Sequence, residues 1–229
     1  RTIAHSFDGD NYTKEEKNRI KREVISSRGE LLFSKAIVLC EGITEEQALP
    51  VYFREKFNIE PAFCGVNIIG IGGQNYKTFL SLIKNFNIKW FVFSDGEDKT
   101  IRTVRKAIRD VFGVEMQTLS NVIVLDNGED YEWHLINSGY EEEMVQAICE
   151  HEGEPEFVNK YINTRNHTSA GRERTDQPEC PTCHQAIYRD IIRDYSGDEG
   201  YRQAIYDCCT SKQAKAKYAT IVAERIVSI

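Results

Sequence analysis

Between residues 35 and 126 the chain alternates short, continuously apolar runs with segments of helical periodicity. The runs are KAIVLC (35–40), VNIIGIGG (66–73), KWFVFSDG (89–96) and NVIVLD (121–126). A run with no polar alternation is what a strand covered on both faces requires. The intervening segment TEEQALPVYFREKF places Ala48, Val51 and Tyr52 at helical spacing, with Thr44 as a candidate cap and Pro50 read as lying near the first turn. QNYKTFLSLIKNF sets Tyr76, Phe79, Leu80 and Ile83 on one face, and KTIRTVRKAIRDVFG ends on Gly113, a natural helix stop. Strands alternating with helices of about 10–15 residues predict parallel crossovers and a doubly wound α/β sheet.

After Gly139 the strand pattern ends. YEEEMVQAICEHEG, EPEFVNKYINTRN, AIYRDIIRDYSG, DEGYRQAIYDCC and SKQAKAKYATIVAERIVSI all read as helices, and HTSAGRERTDQPECPTCH reads as a polar loop. The expected organisation is a linker or helix over 1–30, an α/β core over 31–139, a helical subdomain over 140–209 and a closing helix over 210–229. The polar, charged opening without an initiator Met predicts a piece of a longer polypeptide.

At 229 residues and 41% hydrophobic, the chain can bury one sizeable core. No run of about 18 apolar residues occurs and the opening lacks a secretory signal, so a cytoplasmic protein with no membrane association is expected. A net charge of −7 argues against a surface coated for nucleic-acid binding, unless clustered acids hold divalent cations that reverse the local field.

Such a cluster is visible at the strand ends, where open α/β sheets place their sites. The first strand supplies Glu41 and, one helical turn on, Glu45. The third supplies Asp95, Glu97 and Asp98, and the fourth Asp126, Glu129, Asp130 and Glu132. Packed carboxylates repel one another unless cations occupy the space between them. Hard oxygen ligands suit Mg²⁺ or Mn²⁺, and two such ions about 4 Å apart promote phosphodiester cleavage. Single acids at strand ends are commonly solvated loop residues or helix N-caps, the reading that fits Asp126 and Asp130.

IVLCEG followed by FVFSDGED resembles the Toprim pattern, a Glu-Gly after one strand and Asp-x-Asp after another, shared by topoisomerases, primases and nucleases. LLFSKAIVLCEGITEEQALPVYF is similar, more narrowly, to the C-terminal Toprim domain of OLD-family nucleases, which include the nucleases of Gabija-type anti-phage systems. DYEWHLI and KAKYATIVAERI are similar to the family's later motifs. The resemblance implies a Rossmann-like, mostly parallel sheet flanked by helices, with a helical insertion. It implies that Glu41, Glu45, Asp95, Glu97 and Glu132 ligate two ions, Mg²⁺ or Mn²⁺, and that Lys215 acts beside the scissile phosphate, with Lys217 the alternative. Where the family has a second Asp, this chain has Glu97, which keeps the charge and adds a methylene, so either Glu97 binds an ion from farther away or Asp98 takes over the role. The implied function is a bacterial metal-dependent DNA endonuclease domain in anti-phage defence or DNA repair. The implied partners are an upstream ABC-type ATPase in the same polypeptide, a helicase-like protein and further copies in a homo-oligomer. The alternatives are a non-cleaving DNA or nucleotide sensor and another Toprim chemistry of primase or topoisomerase type.

Two features lie outside those motifs. CPTCH at 180–184 has the Cys-x-x-Cys spacing of a structural zinc knuckle, with Cys180, Cys183 and Cys208 as candidate Zn²⁺ ligands. Basic residues gather on the helix after the third strand, among them Arg102 and Arg105, which with Lys217 are candidate contacts to the DNA backbone.

Overall fold

The computed structural model describes residues 13–22, 29–72, 75–175, 179–211 and 216–229. The four apolar runs form the strands β1 (Ala36–Cys40), β2 (Val66–Gly70), β3 (Lys89–Ser94) and β4 (Val122–Val124) of one sheet. All pairs are parallel, in the order β2-β1-β3-β4. The helices are α1 (Lys14–Ile20), α2 (Ile43–Phe57), α3 (Tyr76–Phe86), α4 (Asp98–Phe112), α5 (Tyr131–Asn137), α6 (Glu141–Glu152), α7 (Phe157–Arg165), α8 (Gly197–Thr210) and α9 (Ala219–Ile226). No described helix is long and apolar enough to cross a membrane.

Two apolar clusters sandwich the sheet. Ile37, Leu39, Ile69 and Val92 pack with Phe79, Leu80 and Ile83 of α3 and Val104 and Ile108 of α4; Ile20 of α1 is buried in the same cluster. Ala48 and Val51 of α2 pack in a second cluster with Leu135, Ile136, Met144, Ile148, Ile205 and Val222, drawn from α5, α6, α8 and α9. The later helices thus cover the face of the sheet that α2 leaves incomplete. Gly113 caps α4 in the left-handed conformation, φ 71°, as its position in the sequence predicts.

Four expectations are corrected. Pro50 is the eighth residue of α2, in its interior, where it removes the N–H that would pair with the Glu46 carbonyl. Thr44 makes no capping bond; Gly42 occupies the N-cap position in an extended conformation. The segment read as a helix near 188 and part of the loop before it form instead an antiparallel ribbon of β5 (Ser169–Arg174) and β6 (Tyr188–Ile192). Its residues are exposed on both faces, so no period-two alternation marks it, and its apolar Tyr188, Ile191 and Ile192 fall by chance at helical spacing. The last helix begins only at Ala219, after a turn in which Ala216 is left-handed, φ 66°.

The strand ends are fastened to one another by backbone bonds. Gly72 N–H donates to Glu41 O at 2.9 Å, Leu125 N–H to Ser94 O at 3.0 Å and Gly96 N–H to Glu129 O at 2.7 Å. Two glycines permit this closeness. A Cβ on Gly70 would lie 2.5 Å from Gly42 O, and one on Gly96 would lie 2.4 Å from Leu125 O. Gly96→Ala is therefore expected to destabilise the protein by about 2 kcal/mol or more, because the obstacle is backbone and cannot rotate away. Urea unfolding of the variant, with an unchanged m-value and a lowered midpoint, checks this.

Candidate metal centre

In the order β2-β1-β3-β4 the chain leaves β1 toward β2 and leaves β3 toward β4, so α2 and α4 diverge from adjacent strand ends. That switch point opens the crevice in which doubly wound folds bind ligands. Glu41 follows β1 directly and Asp95 follows β3 directly, so the two face each other across it. Glu45 enters from the first turn of α2 and Glu132 from the first turn of α5. The crevice has a volume of about 790 Å³, room for a segment of polyanionic chain with ions. Glu41, Glu45, Glu46, Asp95, Glu97, Asp130 and Glu132 line it, and no Lys, Arg or His is among its described lining residues.

The electrostatic consequence is legible group by group. Burial, followed by the charges of Glu45 and Glu41, pushes Asp95 up to about 8. Burial and then Asp130 push Glu132 up to about 7, opposed in part by a hydrogen bond from the Thr44 side chain. Glu45 is 4% exposed and is raised chiefly by burial, with Glu41 adding to it. Asp95 Oδ1 is buried with no hydrogen-bond partner among the described residues. Carboxylates in this condition either hold protons or share a cation.

The donor chemistry suits hard divalent cations, and a buried carboxylate oxygen without a partner is a natural ligand. Among the described residues, however, no three His, Cys, Asp or Glu side chains converge around one point. The acids share the crevice without forming a closed cage.

The remaining candidates divide cleanly. Glu41 Oε1 accepts from Thr100 Oγ1 at 3.3 Å, which ties it to α4. Glu97 lines the crevice from the N-cap of α4, whereas Asp98 is exposed and pairs with Arg102 at 3.4 Å. The charge at the second acidic position therefore reaches the crevice through Glu97. Asp130 caps α5, accepting from Trp133 N at 2.9 Å, as the sequence suggested. Its other oxygen accepts from Tyr206 Oη at 2.5 Å, and the Tyr206 ring stacks on Trp133 with centroids 4.9 Å apart.

Tyr206 and Thr210 bring α8 into the crevice wall. Sequence reasoning missed both, and no local signal marks them, since they reach the site only through the packing of α8. Lys215 lies outside the described residues. Lys217 is exposed, pairs with Glu152 and sits over the Tyr218 ring. Neither Lys217 nor Arg102 nor Arg105 lines the crevice.

The zinc reading is corrected. Cys180 and Cys183 sit in the turn between β5 and β6, whereas Cys208 is buried in the second apolar cluster with its thiol pushed up to about 12 by burial. The structure does not gather the three into a metal site. Cys208 falls on the core face of α8, where a thiol serves as a small apolar group.

Asp95, Glu132 and Glu45 bind protons more tightly in the folded chain than in the unfolded one. Their contribution is therefore full below the ordinary carboxylate range and is lost as pH rises through about 7 and about 8. In EDTA, the melting temperature should fall between pH 5 and pH 9, and Asp95→Asn should flatten that slope. At pH 9 the variant should exceed the parent by about 1 kcal/mol or more, roughly 2–4 °C for a domain of this size, as read by calorimetry.

Comparisons place these residues among known proteins. The family described as overcoming lysogenization defect protein-like, TOPRIM domain, matches residues 32–96, which hold Glu41, Glu45 and Asp95. The C-terminal region of the Xanthomonas campestris pv. campestris OLD protein, in the form phased with platinum, is similar at a TM-score of 0.53 and 21% identity, over 86% of each chain. The C-terminal region of the Burkholderia pseudomallei OLD protein is similar at a TM-score of 0.52 and 14% identity, over 84% of this chain and 88% of that one. Among curated proteins no significant match is found. Residues 32–96 thus match the OLD-like Toprim model, within a chain that has the fold of the C-terminal regions of OLD proteins.

Proposed function

We propose that the chain is the nuclease part of a larger OLD-type protein and cleaves DNA phosphodiesters with the help of divalent ions. The observation that carries this reading is the crevice at the switch point, where seven carboxylates face one another with no cationic side chain among its described lining residues. A site of this sign repels DNA unless cations enter it, and a cation-filled site attracts the phosphate backbone.

In this reading Glu41, Glu45, Asp95, Glu97 and Glu132 hold the ions, with side-chain rotations drawing the carboxylates together. When bound, two Mg²⁺ or Mn²⁺ ions supply a water of lowered pKa and positive charge beside the phosphate. Thr100 keeps Glu41 oriented toward the crevice. Tyr206 holds the Asp130 carboxylate in the wall, which maintains the negative field on the α5 side. The Lys215 ammonium meets the charge that grows on the non-bridging phosphate oxygens. Arg102 and Arg105, on α4 just beyond Glu97, hold the backbone of the substrate next to the crevice.

The similarity to C-terminal regions supports an upstream domain in the full protein, for which an ABC-type ATPase is the proposal. A role in anti-phage defence or repair, with several copies assembled, extends the same reading. The lack of a three-donor convergence among the described residues favours a second reading, a module that grips DNA ends or nucleotides without cutting.

Incubation of supercoiled plasmid with the protein and Mg²⁺ or Mn²⁺ separates the two. Nicked or linear product is expected, with none in EDTA or with Glu41→Ala. Lys215→Ala should slow cleavage by about 10²-fold or more, the usual loss for one transition-state donor. Lys217→Ala should cut at nearly the parent rate, because that side chain is engaged by Glu152. DNA binding without any cleavage in either metal would favour the gripping module.

A further inference from the structure

The β5–β6 ribbon is an unusual element in this fold because none of the described residues covers it. Every residue of both strands is exposed, including Tyr188, Ile191 and Ile192. Cross-strand charge pairs, Arg172 with Asp190 at 2.9 Å and Arg189 with Glu173, hold it together in place of a core. A two-stranded ribbon with no packed face is marginal in water, and exposed ion pairs contribute little. Something further is needed to fix it.

The turn at its far end has the required chemistry. Cys180 N–H donates to Gln185 O at 2.7 Å and His184 N–H donates to Cys180 O at 2.8 Å, closing a tight loop around Pro181, Thr182 and Cys183. His184 is left-handed, φ 57°, which reverses the chain directly after Cys183. The two cysteines are not joined in a disulfide. Within this loop the amides of Thr182 and Cys183 and the Cys183 thiol approach the Cys180 sulfur. Two thiols on one tight, amide-lined turn form half of a tetrahedral thiolate site.

The other half is not in this chain's described residues. Cys40, Cys208 and Cys209 are buried in the body of the protein, and His184 turns its Nδ1 toward Glu179 at 3.9 Å. Among the described residues no third Cys, His, Asp or Glu joins the pair. A two-fold axis through the ribbon tip would supply two more thiolates from the same turn of a second copy, the isologous arrangement that symmetric dimers favour. We propose that Cys180 and Cys183 bind one Zn²⁺ together with Cys180 and Cys183 of a second copy of this chain, joining two ribbons tip to tip. On binding, four thiol protons leave for solvent and four sulfur–zinc bonds form, with no change of oxidation state. The exposed apolar residues of β6 lie on the same arm and give the joined ribbons a contact surface.

The chain, purified under reducing conditions with Zn²⁺ and freed of excess metal, tests this by elemental analysis and light scattering. One zinc per two chains and a dimer are expected. A strong chelator, or Cys183→Ser, should release the zinc and return monomers while leaving the far-ultraviolet dichroism of the body intact. Replacement by Co²⁺ should give the intense visible bands of a tetrahedral four-thiolate centre. A zinc-free protein, a monomer with one zinc per chain, a dimer that survives both chelator and Cys183→Ser, or a Co²⁺ spectrum lacking four-thiolate character would each overturn the proposal.

Discussion

Mutual repulsion among carboxylates at the switch point is the constraint to which the rest of the molecule answers. Glu41 and Asp95 are fixed by the ends of two adjacent parallel strands, and Glu45 and Glu132 by the first turns of two helices. The backbones at Glu41 and Asp95 cannot withdraw without breaking the bonds that fasten the strand ends together. The carboxylates consequently stay together, and burial, with their mutual repulsion adding to it, raises the proton affinity of Asp95, Glu132 and Glu45. A fold that accepts this cost at one crevice, while covering both faces of its sheet elsewhere, concentrates its chemistry there.

The scaffold explains how the acids are held at close quarters. Gly70 and Gly96 follow or end strands at positions where any side chain would strike a neighbouring carbonyl, so the strand ends close up and the carboxylates approach. Thr100 and Tyr206 act from outside the strand ends, each donating to an acid from a helix that arrives later in the chain. The helices after Gly139 therefore serve the site as well as the core. Met144, Ile148 and Ile205 complete the apolar layer over α2, and α8 lays Tyr206 and Thr210 along the crevice rim.

Much of this arrangement was readable in the residues. Strands buried on both faces announce themselves as continuous apolar runs, and the acids follow those runs directly, so the sheet and the positions of Glu41, Glu45 and Asp95 came from local pattern alone. Asp130 was recognisable as a cap because capping is a local bond. The ribbon was not recognisable, because its strands bury neither face and the alternation that marks a strand comes from burying one. Tyr206 was invisible for a different reason: it reaches Asp130 from 76 residues away through the packing of α8, which no window of sequence encodes. Cys208 misled because its spacing suits a ligand, while its helix turns it toward the core.

The central claim is that the crevice exists to be shared with cations. A titration with Mn²⁺, following the paramagnetic resonance of the free aquo ion, addresses it without reference to cleavage. The account predicts two ions taken up per chain at neutral pH, weaker uptake at pH 5 where Asp95 and Glu132 hold protons, and loss of uptake in Asp95→Asn and Glu41→Gln. Mn²⁺ that remains free at millimolar concentration, or uptake unchanged by both substitutions, would contradict it.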